Sequence, residues 1–184
     1  MSATKKSVVT AICIALCVVL PFAFHGIPNG GRIFCPIHIP ILLCGLICYW
    51  RHGIICGLMG PVLSSILTGM PTAAVLPPMM IECAVYGAVT GLIMQYVHTR
   101  RTYFDLYLGL ITAMVFGRVV AGIFRALIFT AGTAGTISSL LSIYVIESLP
   151  GIITQLIFLP AVVFALMRAK IINERYPLSE VGRG

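Results

Sequence analysis

Four ionisable residues lie inside apolar stretches of this 184-residue chain: Glu82, Arg118, Arg125 and Glu147. Placing one charge in the core of a lipid bilayer costs at least ~2.5–3.5 kcal/mol on insertion scales, and crossing a membrane requires none of these residues. An arginine offers a planar fork suited to a carboxylate or carbonyl group, and a glutamate accepts hydrogen bonds from an amine or a hydroxyl. The four residues together therefore indicate an interior site for a small polar or zwitterionic solute.

The same residues could instead form two ion pairs with a purely structural role. At ~1.5 Å of helix rise per residue, Glu82 lies about 6 Å below the outer end of its helix and Arg125 lies near that boundary. Arg118 and Glu147 are deeper, about 10–15 Å below it. The depths thus match as Glu82 with Arg125 and Arg118 with Glu147. Because apolar groups pack helices at lower cost than buried charges do, the binding pocket is the favoured interpretation.

Polar and aromatic residues accompany these charges. A tyrosine lies one turn from each glutamate, an asparagine lies in the first outer loop, and a histidine follows that loop. Each has an ordinary explanation when taken alone, since interfacial tyrosines belong to the aromatic belt of membrane proteins. We expect no catalytic residue, metal ligand or cofactor in this chain. As a group, these residues complete the predicted substrate-binding set: Glu82, Tyr86, Arg118, Arg125, Tyr144, Glu147, Asn29 and His38.

The composition determines the class of protein that must position these residues. The chain is 59% apolar and 9% charged, whereas soluble domains carry about 25% charged residues. We therefore expect an integral membrane protein without an appended soluble domain, so that any ATP site belongs to another subunit. The net charge of +7 arises mainly in the connections between apolar runs, so nucleic-acid binding is not expected.

Apolar runs predict an all-α membrane protein with six transmembrane helices in a single domain, residues 1–184. The approximate spans are 7–24, 36–49, 53–67, 78–97, 104–129 and 139–168. A membrane-spanning helix needs ~20 residues, so the second and third spans are short. We expect them to be tilted, shielded by neighbouring helices, or continued into the flanking loops.

Basic residues lie mainly on one side of this topology. If the N-terminus is cytoplasmic, the outer loops hold only Arg32, and the inner segments hold nine basic residues: Lys5, Lys6, Arg51, Arg100, Arg101, Arg168, Lys170, Arg175 and Arg183. Cytoplasmic loops carry an excess of lysine and arginine, so both termini are predicted to be cytoplasmic. The outer connections are rich in glycine and proline, which suggests lids or a binding mouth on the external face.

These features resemble one known family, the substrate-binding S component of energy-coupling-factor (ECF) transporters. Ala11 and Ala15 in the first span are spaced like the family's Ala-x-x-x-Ala element, and small residues at this spacing allow close helix approach. The stretches 38–42 (HIPIL), 69–71 (GMP) and 149–156 (LPGIITQL) look like those of its vitamin-uptake branch. The resemblance covers almost the whole chain.

The resemblance implies high-affinity binding of a solute from outside a prokaryotic cell, between helices four to six and the outer loops. Ala11 and Ala15 would dock onto a transmembrane coupling subunit, which works with two ATPase subunits, so the chain itself would not be an enzyme. It would topple in the membrane to release the solute inward. The arginines suit a carboxylate, as in pantothenate or niacin, whereas the glutamates suit a base edge or amine, as in a queuosine or thiamine precursor.

Two other classes of protein are alternatives to this interpretation. A membrane-embedded enzyme would need a nucleophile with a base or a metal site, but Ser64, Ser65 and Ser142 lack a histidine at a plausible depth and no H-E-x-x-H pattern occurs. A channel or scaffold subunit is the second alternative. The inner halves of the predicted spans are almost uniformly apolar, which argues against a continuous polar path.

Overall fold

The computed structural model describes residues 1–23, 35–129 and 149–172, with the backbone alone for residue 23 and residues 125–129. These residues form five long helices: α1 (Ala3–Ala23), α2 (His38–Thr68), α3 (Leu76–Tyr96), α4 (Thr102–Phe129) and α5 (Leu149–Arg168). Each helix contains a stretch long and apolar enough to cross a membrane. The all-helical membrane architecture predicted from the sequence is thus present, while the predicted segment 139–148 lies outside the described residues.

Helix α2 is bent back on itself at Tyr49. This residue has φ 70° and ψ −178°, and helical geometry continues on both sides of it. The Cys44 Sγ lies 3.5 Å from the His52 carbonyl oxygen, and the Cβ position of Gly60 lies 3.9 Å from Ile41 Cδ1. A straight helix would separate residues 41 and 60 by about 28 Å. The first arm of α2 (residues 38–48) and the second arm (residues 50–68) therefore run antiparallel.

The first arm of α2 is enclosed by the rest of the protein. Ile41, Leu42, Cys44 and Cys48 are all buried. At ~1.5 Å per residue this arm is about 16 Å long, well short of the ~30 Å hydrocarbon thickness of a bilayer. Because protein surrounds the arm, its length does not have to match the lipid, which accounts for the short apolar run that the sequence shows here.

Helix α3 packs against both arms of α2 through positions without side chains. A Cβ at Gly53 would overlap the backbone of Gly87, and a Cβ at Gly87 would overlap the backbone of Gly53. A Cβ at Gly57 would likewise overlap the backbone of Cys83. In lipid, where no hydrophobic effect drives helices together, such close backbone approach supplies the van der Waals contact that holds them.

Helix α4 follows α3 after a short turn and packs beside it. The Asp105 carboxylate is buried and accepts hydrogen bonds from the Thr99 N–H (3.1 Å) and the Thr99 hydroxyl (2.6 Å). These bonds fix the turn against the first turn of α4. Farther along, the Cβ position of Gly109 lies 3.7 Å from Ile93 Cγ2. The two helices are therefore antiparallel neighbours joined by a fixed turn.

Helices α1 and α5 flank this centre. On α1, Cys13 and Cys17 are buried, and the Cys17 Sγ lies 3.7 Å from the Ile37 carbonyl oxygen. On α5, the Phe164 ring stacks on the Tyr103 ring of α4 with centroids 4.2 Å apart. Large apolar side chains cover the outside of the helices, among them Ile66 and Ile157, which are 72% and 69% exposed. A membrane protein presents such a surface to lipid tails.

Candidate functional site

A buried carboxylate lies in the second turn of α3. Glu82 is 1% exposed, and its Oε1 atom accepts a hydrogen bond from the Tyr86 hydroxyl at 2.8 Å. The two residues are four positions apart, which places them on one face of the helix. A carboxylate held away from water is tolerated only when donors satisfy it. The Tyr86 hydroxyl is one such donor.

The Tyr86 ring connects three helices. Its centroid lies 5.0 Å from that of the His38 ring, and the two planes meet at 84°, an edge-to-face arrangement. On its other side the ring occupies the space beside Gly117 of α4, where a Cβ would overlap it. His38 is 3% exposed and Tyr86 is fully buried. The aromatic ring is therefore held between the start of α2 and the middle of α4.

Arg118 lies at nearly the same depth as this cluster. It follows Gly117 in α4, and only 8% of its surface is exposed. Helices α3 and α4 are antiparallel, and Gly117 lies opposite Tyr86. Glu82, four residues before Tyr86, therefore lies at the same height as Ala121, four residues after Gly117. At ~1.5 Å per residue, Arg118 is then about 4.5 Å from the Glu82 level along the helix axis. The glutamate, the tyrosine and the arginine thus occupy one polar layer of the bundle.

Helix α5 reaches the same end of α2 through Gln155. This amide is 1% exposed, and its Nε2 atom lies 3.4 Å from the Cys35 carbonyl oxygen, to which it donates. The same carbonyl accepts the N–H of His38 at 3.0 Å. Gln155 was not in the predicted binding set. The sequence nevertheless marks it as a polar neighbour of that set, because it is a lone amide two turns beyond Glu147 in an otherwise apolar helix.

Side-chain hydroxyls hold the connection between α2 and α3 against the end of α2. The Ser64 hydroxyl donates to the Met70 carbonyl oxygen at 2.8 Å, and the Ser65 hydroxyl donates to the Pro71 carbonyl oxygen at 2.7 Å. The Gly69 N–H donates to the Ser65 carbonyl oxygen at 3.0 Å, with Gly69 in the left-handed region at φ 73°. These bonds give the connection between α2 and α3, which the sequence predicts to be an outer loop, a defined position near the Glu82 end of α3.

The structure describes the side chains of some predicted binding residues and not those of others. It brings His38, Glu82 and Tyr86 into contact and places Arg118 in the adjoining turn of α4. Arg125 lies in α4, but its side chain is outside the described residues, as are Asn29, Tyr144 and Glu147. The proposed pairs of Glu82 with Arg125 and of Arg118 with Glu147 therefore stay predictions.

The predicted docking residues lie on the outside of α1. Ala11 and Ala15 are exposed, whereas Cys13 and Cys17 on the other side of the helix are buried. Val8 and Val19 near the two alanines are 54% and 60% exposed. The small-residue stripe thus lies on the exposed side of α1.

The polar layer offers complementary chemistry to a small molecule. Glu82 supplies a carboxylate acceptor, Tyr86 a hydroxyl that donates or accepts, and Arg118 a planar cationic donor. In a low-dielectric interior each of these interactions is stronger than it would be in water. No group of three or more histidine, cysteine, aspartate or glutamate side chains among the described residues could hold a metal ion. The layer is therefore suited to hydrogen bonding and charge pairing.

Comparison with protein families decides the class of this chain. A family model described as "ECF transporter, substrate-specific component" matches residues 5–171. The chain belongs to this family. Members of the ECF substrate-specific family are membrane-embedded subunits of transporters, so the chain is a multi-pass membrane protein and a transporter subunit. The comparison with curated proteins gives no match.

Proposed function

We propose that this S component captures a small water-soluble vitamin or related micronutrient from outside the cell, in a site built around Glu82, Tyr86 and Arg118. His38 forms one wall of this site. Arg125, Tyr144, Glu147 and Asn29 complete it from α4, the segment before α5 and the first outer loop. The observation that carries the proposal is the buried contact of His38, Tyr86 and Glu82 beside Arg118 in a member of a solute-binding family.

The proposed topology has six spans with both termini in the cytoplasm of a prokaryotic cell. The two arms of α2 cross the membrane as separate spans and meet at Tyr49 on the cytoplasmic side. The antiparallel arms support this arrangement, because Cys44 before the turn lies beside His52 after it. The polar layer then opens toward the outside, which is the side of Gly69 and the start of α3.

The proposed partners are an ECF transmembrane coupling subunit and two ATPase subunits. Ala11 and Ala15 form the docking stripe, and its support is that both alanines are exposed along α1. Small residues let a partner helix approach closely. ATP hydrolysis takes place in the partner subunits, and the chain supplies the solute-binding site alone.

The residues of the site favour a solute that carries an acidic or carbonyl group for Arg118, a hydrogen-bond donor for Glu82, or both. Arg118 suits a carboxylate, as pantothenate and niacin carry, while Glu82 suits an amine, amide or hydroxyl donor. Precursors of queuosine and thiamine offer donor edges that fit the glutamate better than the arginine. Mass spectrometry of the small molecule that co-purifies with the protein would identify the solute directly.

Calorimetry of variants tests the site itself. We expect Arg118→Ala and Glu147→Ala each to weaken binding of the co-purified solute at least tenfold, because each removes a charged partner worth about 1.5–3 kcal/mol. Arg168→Ala is the matched control, since this exposed arginine lies at the far end of α5. Unchanged affinity in both site variants, with folding intact, would reject the pocket.

A further inference from the structure

Two cations rest on aromatic rings at the turn of α2. The Lys6 Nζ atom lies 4.6 Å from the centroid of the Tyr49 ring, and the Arg51 Cζ atom lies 5.3 Å from the centroid of the Trp50 ring. Cations within ~6 Å of a ring centroid are attracted by the negative face of the ring. Two neighbouring aromatic residues thus each hold a positive charge at one end of the bundle.

The backbone around this turn is fixed from two sides. The Cys48 Sγ lies 3.7 Å from the Lys6 carbonyl oxygen, which ties α1 to the turn. On the side of α3, a Cβ at Gly91 would overlap the backbone of Trp50. The backbone that carries the two rings is therefore packed against α1 and α3. The turn presents two cations, each in contact with an aromatic ring on this packed backbone.

The surroundings are basic and lie at the ends of the apolar helices. Arg100 and Arg101 lie in the turn after α3, and Arg168 ends α5 near the Tyr103–Phe164 ring contact; all three arginines are exposed. The acidic residues in the described ranges are Glu82 and Asp105, and both are buried. An anionic group that approaches the turn therefore meets positive potential.

We propose that Lys6, Tyr49, Trp50 and Arg51 form a binding site for the headgroup of an anionic phospholipid. Tryptophan and tyrosine favour the headgroup level of a bilayer, and basic residues there attract anionic lipids. Beyond Arg51, the second arm of α2 exposes Ile55 (50%) and Met59 (45%), one turn apart. These side chains offer an apolar surface for the acyl chains of a lipid whose phosphate contacts the turn.

This site is separate from the solute-binding layer, because the polar layer lies at the His38 end of the first arm of α2 and the turn lies at the other end of that arm. Its occupant is a lipid of the surrounding membrane, and the apolar strip that continues from the turn supports that choice. An acidic segment of a partner protein could pair with the cations, but it would not provide apolar contacts for Ile55 and Met59. The experiment is designed to separate these two cases.

Trp50 makes a direct test possible, because it is the only tryptophan of the chain. The full-length protein is placed in phosphatidylcholine nanodiscs that contain a small fraction of dansyl-labelled phosphatidylglycerol or dansyl-labelled phosphatidylcholine. Energy transfer from Trp50 to dansyl is measured and normalised to the emission of the same variant in unlabelled discs. We expect transfer to favour phosphatidylglycerol, and the preference to shrink between about 0.1 M and 1 M salt as the screening length falls from ~10 to ~3 Å.

The variants distinguish a site from general attraction. The double variant Lys6→Gln, Arg51→Gln should lower the preference about tenfold, and Lys6→Gln alone should lower it by a smaller factor. The matched control Arg100→Gln, Arg101→Gln removes the same charge from the same end and should leave most of the preference. Equal transfer to both lipids in the native protein, or an equal loss in the two double variants, would overturn the proposal. So would a Lys6→Gln, Arg51→Gln protein that keeps its lipid preference but no longer co-purifies with a coupling subunit.

Discussion

The Tyr86 hydroxyl occupies a position that a solute could take over. It donates to the Glu82 carboxylate, and the glutamate is almost fully buried. A buried acceptor that loses a donor costs about 1–3 kcal/mol, and more when it is charged. A solute that brings its own amine, amide or hydroxyl donor to Glu82 avoids this cost. At the scale of single residues, we therefore expect the site to favour a donor edge facing α3 and an acidic or carbonyl group facing Arg118.

Replacement of Tyr86 by phenylalanine tests this exchange. Tyr86→Phe should lower the stability of the solute-free protein by about 1–3 kcal/mol, because the buried carboxylate loses a donor. Saturating solute should then raise the melting temperature of this variant more than that of the native protein. Thermal unfolding in detergent measures both effects. The control is Tyr107→Phe, since Tyr107 is 41% exposed; an equal loss of stability in both variants would contradict the assigned role of the hydroxyl.

Gly117 provides a second residue-scale prediction. Gly117→Ala introduces a Cβ that overlaps the Tyr86 ring, and overpacking of this kind costs about 1–3 kcal/mol. Gly109→Ala on the same helix is the matched control, because its Cβ would meet the nearest atom at 3.7 Å. Alanine is also the better helix former, so this control should be neutral or stabilising. The melting temperatures of the two variants check the prediction, and a similar shift in both would contradict it.

The cost of burying charge allowed part of the site to be predicted from sequence. Glu82 and Arg118 were expected inside the bundle because hydrocarbon repels them, and both are buried. The contact of Tyr86 with His38 could not be predicted, since it depends on how the start of α2 packs on α3. The role of Gly117 was equally inaccessible, because a glycine in an apolar run gives no indication of which ring fills the space beside it.

At the scale of whole elements, α2 shows why span counting is difficult. The polar pair Arg51 and His52 interrupts an apolar run between the predicted spans 36–49 and 53–67. The structure places the backbone break at Tyr49. Enclosure by α1, α3 and the second arm permits the first arm to be short. Such enclosure depends on packing, which the hydropathy of the sequence does not reveal.

The exposed alanines of helix α1 lead to a prediction about assembly with the coupling subunit. Ala11→Trp combined with Ala15→Trp should abolish co-purification with an ECF coupling subunit and leave solute binding unchanged, because two large rings would prevent close helix approach. Ile157→Trp is the control for adding a ring to a lipid-facing position, since Ile157 is 69% exposed on α5. Pull-down of the coupling subunit and calorimetry with the co-purified solute measure the two outcomes. Intact assembly of the double variant would rule out this docking stripe.

For the whole molecule, the ends of the bundle differ in chemistry. One end gathers Lys6, Arg51 and the exposed arginines after α3, and the other holds the polar layer and the connection fixed by Ser64 and Ser65. This asymmetry supports an orientation with the basic end in the cytoplasm. With this orientation, we expect a solute to enter from outside at the polar end and the basic end to contact the headgroups of the inner leaflet.

Reporter fusions test this orientation. Green fluorescent protein fused to either terminus should fluoresce, and alkaline phosphatase inserted after Gly69 should be active, because the proposed six spans would place both termini in the cytoplasm and this connection outside. Alkaline phosphatase inserted after His52 is the matched control within the same helix and should be inactive. If the two arms of α2 formed a single crossing, the sites after His52 and Gly69 would not report opposite sides of the membrane. Identical reporter activity at these two sites, with both fusions stably expressed, would contradict separate spans.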